Sequence, residues 1–185
     1  MTKLEIELLE KLEGFEAFSY KDKHDNTPGN PDDNVTVGYG FNMDGHGARD
    51  VWSRLDIEED FDGVRDDNHE LSRESAAKLL EDFWENCEDA AKLRCDEVSI
   101  RYGALPEWHR FILADVVYNT GSISNWYKVI VMKNPEAVLY ESRRKDADGG
   151  HTLDSRIAKI GYAFGLIESL EDAHRIGLTE AKYIS

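Results

Sequence analysis

Two acids and a hydroxyl lie within the first forty residues, at positions from which they could act on one ligand. Glu13 ends an amphipathic helical pattern, and Asp22 ends a short strand pattern. Thr36 follows in a second strand pattern, after a loop rich in Gly, Pro, Asn and Asp. A hairpin that folds back on the helix would turn these side chains toward one cleft. Two carboxyl groups facing a cleft are what glycoside hydrolysis requires.

The helix that carries Glu13 is predicted to begin at Thr2 or Lys3 and to end at Gly14, because glycine accepts the left-handed conformation at a helix end. Its apolar residues recur at intervals of three and four: Leu4, Leu8, Leu9, Leu12 and Phe15. The negative end of the helix dipole and nearby apolar surface favour a protonated Glu13, as a general acid requires. Taken alone, the helix pattern predicts a solvated glutamate at position 13. The spacing of the motifs that follow Glu13 is what favours its role as a general acid.

Two strands are predicted, over residues 17–21 and 35–41. In the second strand, one face carries Val35, Val37, Tyr39 and Phe41, and the other carries Thr36, Gly38 and Gly40. The glycines leave their face bare, so that a ligand backbone could approach closely. An alternative, compatible with the first, is that they allow a sharp twist of the sheet.

The order of Glu13–Gly14, Tyr20–Asp22 and Thr36–Gly40 resembles the phage T4-type lysozyme family, which are muramidases. The resemblance implies an α+β fold that is mainly α, in which a small β-hairpin lobe is joined by a long helix to a helical lobe. One departure is the loop between the second and third of these motifs, which is several residues longer than in the family. The shape of the hairpin turn is therefore left open.

The same resemblance implies one lysozyme-like domain over residues 1–185. The β-containing lobe spans residues 14–71, and the helical lobe with its connecting helix takes residues 1–13 and 72–185. The connecting helix is predicted to begin after Ser72 and to run for some six turns. Its predicted buried face holds Ala76, Leu80, Phe83, Cys87, Ala90 and either Leu93 or Arg94. Trp84 falls outside this face and is assigned to the core of the second lobe.

The remaining helices are predicted at residues 48–55, 106–121, 124–132 and 135–143, with a last helix opening at Asp154. Pro106 and Gly121 delimit the second of these, since proline suits the first helical turn and glycine the end. Residues 166–185 have a weaker pattern and are predicted to pack as a tail on the outside.

By the resemblance, Glu13 is the general acid, Asp22 is the second carboxylate, and Thr36 holds the attacking water. Gly38 and Gly40 have supporting roles.

The resemblance also makes three further residues candidate substrate contacts and gives Glu13 a candidate partner. Asn42 would line the cleft, or simply form a turn. Tyr118 would stack on a sugar ring, or lie in the core, and Asn119 would bind sugar hydroxyls. Arg156 is the candidate partner of Glu13, or else an ordinary first-turn arginine.

The composition indicates a packed protein with reduced thiols. Hydrophobic residues make up 41% of the 185 residues and charged residues 32%, which predicts a core and not disorder. Cys87 and Cys95 are eight positions apart on one predicted helix, too far apart to bridge. His24, His46 and His69 lack metal-ligand spacing. No metal and no cofactor are predicted.

The net charge is 22 minus 38, or −16. Bacterial walls are generally anionic and would repel such a protein at long range. At high ionic strength this penalty largely disappears, because the Debye length is only ~3 Å at 1 M salt. A saline habitat is one hypothesis, and a cationic substrate such as chitosan is another. Nucleic-acid binding is disfavoured in either case.

The expected substrate is peptidoglycan, cleaved between N-acetylmuramic acid and N-acetylglucosamine during host lysis by a phage. A chitosanase-like hydrolase and a non-catalytic wall-binding virion module are the alternatives. No signal peptide or membrane-spanning segment is predicted. The expected location is the host cytoplasm until lysis, and then the cell wall or periplasm. A pore-forming holin partner or incorporation into a virion would be needed for release, and a monomer is expected.

Overall fold

The computed structural model describes residues 2–22, 34–121, 127–143, 154–182 and 184, without the side chain of Asp22. In chain order the elements are α1 (Lys3–Glu13), β1 (Glu16–Asp22), β2 (Asn34–Gly38), β3 (Phe41–Asn42), α2 (Ala48–Arg54), α3 (Phe61–Arg65), α4 (Arg73–Glu97), a 3₁₀ turn (Tyr102–Ala104), α5 (Glu107–Thr120), α6 (Tyr127–Val131), α7 (Pro135–Glu141), α8 (Asp154–Ala163) and α9 (Leu170–Arg175). The predicted α+β class, mainly α, is confirmed. Within the described ranges, no helix combines the length and apolarity needed to cross a bilayer.

The chain divides into two compact units inside α4, between Phe83 and Trp84. The first unit, residues 1–83, holds α1, the sheet, α2 and α3. The second unit, residues 84–185, holds α5 to α9. Residues 1–13 were predicted to belong with the helical lobe, whereas α1 belongs to the unit that contains the sheet.

Helix α1 has the predicted bounds because both of its ends are determined locally. Thr2 Oγ1 accepts a hydrogen bond from the Glu5 amide at 3.3 Å, and Glu5 Oε2 accepts one from the Thr2 amide at 2.7 Å. This reciprocal pair is a capping box. Gly14 ends the helix with a φ of 71°. The predicted apolar face is wrong at Leu4, which is exposed while Glu5 is buried.

The three strands form one antiparallel sheet in the order β1-β2-β3. The predicted continuous strand over residues 35–41 is wrong. Gly38 and Gly40 have φ values of 67° and 94°, which an extended strand does not accommodate. The chain therefore turns after β2, and Val37 pairs with Phe41 of β3.

The side-chain direction of Gly38 is occupied by the protein. A Cβ atom there would lie 3.0 Å from the Cβ atom of Ala76 and 3.1 Å from Leu71 Cδ2. The predicted approach of a ligand at Gly38 is therefore wrong, because α4 packs where the ligand was expected. Gly40 is exposed, and its supporting role stays a prediction.

We expect Gly38→Ala to be more destabilising than the same change at Gly47. Both glycines have positive φ, but a Cβ atom at Gly47 meets nothing within 4 Å. The clash with α4 should add about 1–3 kcal/mol to the loss of unfolding free energy, as overpacking does. Chemical denaturation of the two variants measures the difference. Equal losses would mean that the contact with α4 relaxes without cost.

Helix α4 begins after Ser72, as predicted, and Ser72 Oγ accepts a hydrogen bond from the Ser75 amide at 3.2 Å. Its 25 residues give a length of about 37 Å. In the second half of α4, the predicted buried face is confirmed at Cys87 and wrong at Phe83 and Leu93, which are 49% and 68% exposed. The buried residues there are Trp84, Cys87, Ala91 and Cys95. These four residues recur at helical spacing, as those of the predicted face do. The large indole of Trp84 decides that their face is the buried one.

The carboxylate of Glu59 stabilises the first turn of α4. It accepts hydrogen bonds from the Ser72 amide at 2.9 Å and from Ser75 Oγ at 2.7 Å. Burial opposes its ionisation, but the hydrogen bonds from the two serines outweigh burial and lower the pKa of Glu59. An anion at this position also interacts favourably with the helix dipole.

We therefore expect Glu59→Gln to lower the unfolding free energy by about 1 kcal/mol at pH 7. Because the folded-state pKa is depressed, the contribution of Glu59 is present above its ordinary pKa of 4.5 and is lost as the pH falls through the folded value. The difference between wild type and variant should shrink toward zero below pH 4.5. Denaturation at several pH values measures it, with Glu58→Gln at the exposed neighbouring position as control. A difference that persists in acid would refute this role.

The second unit is built around α5. This helix runs from Pro106, its N-cap, to Gly121, as predicted. It is buried on almost every side, and Trp84 packs on Phe111 with ring centroids 4.8 Å apart. The assignment of Trp84 to this core is confirmed.

The shorter helices α2 and α7 lie within their predicted ranges, and α8 begins at Asp154, as predicted. Helix α6 lies within its predicted range, but residues 124–126 are outside the described residues. The prediction for residues 166–185 is wrong. Ile167, Ala173, Leu178 and Ala181 are buried, so this segment, with α9, completes the core.

Candidate functional site

Glu13 is the last residue of α1, and the positive φ of Gly14 turns the chain away directly after it. The side chain is partly buried, and its Oε1 atom has less than 1 Å² of exposed surface. A partly buried carboxyl group at the end of a helix is a candidate proton donor.

Thr36 lies at the centre of the sheet. It pairs with Tyr20 of β1 on one side and with Asn42 of β3 on the other, and it is 4% exposed. The backbone of Asp22 pairs with Asn34, at the end of the same ladder. The first unit therefore contains Glu13 and Thr36 together with the strand that ends at Asp22. The Asp22 side chain lies outside the described part of the chain.

A cluster that the sequence did not predict surrounds Tyr39, in the turn between β2 and β3. Tyr39 is 4% exposed, and its hydroxyl donates a hydrogen bond to Glu10 Oε1 at 3.1 Å. Burial, followed by the Glu10 carboxylate, raises the pKa of Tyr39, so the hydroxyl keeps its proton. The sequence could have indicated this cluster only through the tyrosine itself, because a buried tyrosine hydroxyl needs a hydrogen-bond partner.

Asn42 has the turn-forming role that was considered as its alternative. Its Oδ1 atom accepts a hydrogen bond from the Asp44 amide at 2.9 Å. Asp44 in turn accepts hydrogen bonds from the Val35 amide at 2.9 Å and from Arg65 Nη2 at 2.7 Å. The bond from Val35 is the main cause of a lowered pKa of Asp44. Contact between Asn42 and substrate stays a prediction.

An open groove of about 460 Å³ lies beside this turn in the first unit. Its lining residues carry charges of both signs and one aromatic ring: Ser19, Tyr20, Lys21, Val35, Asp44, Arg65, Asp66 and Asp67. The groove is bounded by β1, the residues after β3 and the end of α3.

Arg156 makes an ion pair with a buried acid in the second unit. Its Nη2 and Nε atoms donate to Asp115 Oδ1 at 2.6 and 2.8 Å. The side chain of Asp115 is only 1% exposed, and that of Arg156 is 11% exposed. An aspartate inside the apolar run of α5 was the sequence signal for such a partner. The pairing of Arg156 with Glu13, which belongs to the first unit, stays a prediction.

Tyr118 and Asn119 lie beside this ion pair and are partly buried. The Arg156 guanidinium is 5.6 Å from the centroid of the Tyr118 ring, and Asn119 Nδ2 donates to the Asp115 carbonyl at 2.8 Å. The structure therefore brings three predicted site residues together around Asp115. Their binding of sugar stays a prediction.

Neither cysteine is suited to nucleophilic chemistry. Both are free and buried, and burial raises the pKa of Cys87 to about 12 and that of Cys95 to about 11. A thiol needs a lowered pKa to react as thiolate. Among the residues that the structure describes, no three His, Cys, Asp or Glu side chains converge as a metal site would require. His24 lies outside the described residues.

No protein-family model matches this chain, and no curated protein matches it. The positions of Glu13, Thr36 and the strand that ends at Asp22 are therefore the observations from which a function can be inferred.

Proposed function

We propose that the protein is a glycoside hydrolase that cleaves the β-1,4 bond between N-acetylmuramic acid and N-acetylglucosamine in bacterial peptidoglycan. The resemblance of residues 13–40 to the phage T4-type lysozyme family is the basis of this proposal. The observation that carries it is that one compact unit holds Glu13 at the end of α1, Thr36 in the buried β2 and the end of β1 at Asp22.

The architecture supports a lysozyme-like fold. A helix that ends at the proposed acid is followed directly by a small antiparallel sheet, and a 25-residue helix then leads into an all-helical unit over the described residues. The family that the sequence resembles has the same order of elements. The hairpin, the long helix and the helical unit are thus the three parts that the resemblance requires.

In the proposed mechanism, Glu13 gives its proton to the leaving glycosidic oxygen. Asp22 carries negative charge near the developing oxocarbenium centre and orients or deprotonates a water molecule, which Thr36 holds by a hydrogen bond. The water attacks from the opposite face of the sugar, so the anomeric configuration inverts. An inverting site requires carboxyl groups about 6.5–9.5 Å apart.

The remaining residues would bind the sugar chain and support the acid. Asn42, Tyr118 and Asn119 are the proposed sugar contacts, and Arg156 is the proposed partner of Glu13. The protein would act as a monomer in phage lysis, from the host cytoplasm and then on the wall, with a holin partner or a virion giving access. No cofactor takes part in the proposed mechanism.

Digestion of purified peptidoglycan tests the proposal. Wild-type protein should clear a wall suspension and release new reducing ends, and NMR of the first product should show the inverted anomer. The salt concentration should be varied, because a saline adaptation of this acidic protein predicts a rise in activity with salt. A folded protein that releases no reducing ends from any wall type at any salt concentration would refute the proposal.

The net charge of −16 favours one second candidate, a hydrolase of a cationic polysaccharide. Chitosan carries many positive charges, and an acidic protein would attract it at low ionic strength. Parallel assays of reducing-end release from chitosan and peptidoglycan distinguish the two substrates. A non-catalytic wall-binding module would instead sediment with the wall and release no reducing ends from either polymer.

A further inference from the structure

One residue before Glu13 and one residue after it, Glu10 and Phe15, contact the same tyrosine, Tyr39. Glu10 precedes Glu13 by almost one turn of α1, and it accepts the hydrogen bond from the Tyr39 hydroxyl at 3.1 Å. Phe15 follows Glu13 by two residues, and its ring centroid is 5.4 Å from that of Tyr39. Tyr39 therefore holds the chain both before and after Glu13.

Arg73, the first residue of α4, closes this cluster. Its guanidinium carbon lies 4.3 Å from the Phe15 ring centroid, within the range of a cation–π interaction. Its Nη1 atom is 3.5 Å from the Tyr39 hydroxyl oxygen. The end of α1 is thus linked to the start of α4 as well as to the turn after β2.

Tyr39 is itself held in place by backbone geometry. It lies between Gly38 and Gly40, both with positive φ, and Gly38 packs against α4. Thr36 is only three residues before Tyr39, in the buried strand that enters this turn. One short segment therefore carries both the proposed water-binding threonine and the contact that holds the helix end.

We propose that Tyr39, assisted by Arg73, is a positioning residue that sets the orientation of Glu13 relative to Thr36. This inference rests on the proposed function, in which Glu13 is the general acid. The Tyr39 hydroxyl acts through Glu10 and the last turn of α1 and does not touch the reacting atoms. Small displacements of a catalytic group are costly, since a misplacement of about 1 Å can reduce a rate on the order of 100-fold.

Tyr39→Phe tests the inference, because phenylalanine keeps the ring that packs on Phe15 and removes the hydroxyl. On peptidoglycan we expect kcat to fall about 10-fold, with KM within about twofold of wild type, since orientation and not binding is lost. Glu10→Gln keeps an oxygen acceptor for the hydroxyl and should retain most of the wild-type kcat.

Tyr102→Phe is the matched control. Tyr102 is also a buried tyrosine, 5% exposed, whose hydroxyl donates to a carboxylate, at 3.2 Å from Glu88 Oε1. It lies in the second unit and should lose a similar amount of stability without loss of kcat. The positioning role would be overturned if Tyr39→Phe had the same kcat as wild type. It would also be overturned if kcat fell equally in Tyr39→Phe and Tyr102→Phe.

A readout that does not depend on activity separates this inference from the proposed function. In NMR titrations of carboxyl-labelled protein, the titration midpoint of the Glu13 signal should move in Tyr39→Phe and stay unchanged in Tyr102→Phe. A Glu13 signal that titrates identically in both variants would refute the positioning role. An inactive wild type whose Glu13 signal still responds to Tyr39→Phe would refute the proposed hydrolase and leave the positioning contact established.

Discussion

Glu13→Gln is expected to reduce the release of reducing ends from peptidoglycan by about 10²–10⁴-fold, which is the usual contribution of a general acid. Glutamine is nearly isosteric with glutamic acid but has no acidic proton to give to the leaving oxygen. The substitution leaves the Thr2 and Gly14 caps of α1 intact. Initial rates over a range of substrate concentrations, together with thermal unfolding of the variant, measure the effect on chemistry and on stability separately.

Glu7→Gln is the matched control for this prediction. Glu7 lies on the same helix, is exposed, and pairs only weakly with Lys3 at 3.4 Å. Its replacement should leave the rate within about twofold of wild type, because surface ion pairs contribute little. If Glu13→Gln clears cell wall as well as this control does, Glu13 is not the acid, and the proposed mechanism fails.

Arg156→Met is expected to lower the free energy of unfolding by about 3–5 kcal/mol, the usual cost of breaking a buried ion pair from one side. Asp115 would keep a carboxylate inside the core of the second unit without the guanidinium that donates to it at 2.6 and 2.8 Å. Methionine keeps much of the length and apolar surface of the arginine stem. Denaturant unfolding followed by tryptophan fluorescence measures the loss, since Trp84 lies in the same core.

Two further variants control for this effect. Arg175→Met removes an exposed partner of Glu136, and should cost less than about 1 kcal/mol. The double variant Asp115→Leu with Arg156→Met removes both charges and should recover much of the lost stability, because no unpaired charge remains buried. A single Arg156→Met variant as stable as Arg175→Met would show that the buried pair does not stabilise the second unit.

The elements that the sequence determined by itself are those whose signals lie within a few residues. The bounds of α1 follow from the capping box at Thr2 and from Gly14, and those of α5 follow from Pro106 and Gly121. The resemblance implied the mainly helical class with one small sheet, and short-range periodicity predicted individual helices and strands. Local interactions determine where these helices begin and end, although much of their stability comes from tertiary packing.

The tertiary structure alone decided the features that depend on partners far along the chain. Two faces of α4 carry residues at helical spacing, so the sequence pattern did not decide which face is buried. The packing of Trp84 on Phe111 decided it. Asp115 and Arg156 are 41 positions apart, and no short-range sequence pattern indicates that they form an ion pair.

The surroundings of the candidate site were decided in the same way. The type and order of Glu13, Asp22 and Thr36 made them the proposed catalytic residues. Only the fold placed Tyr39 against Glu10, 29 positions away, and filled the space above Gly38 with Ala76. Side-chain type and short-range spacing encode which groups could react, whereas close packing between distant segments decides which neighbours hold those groups in place.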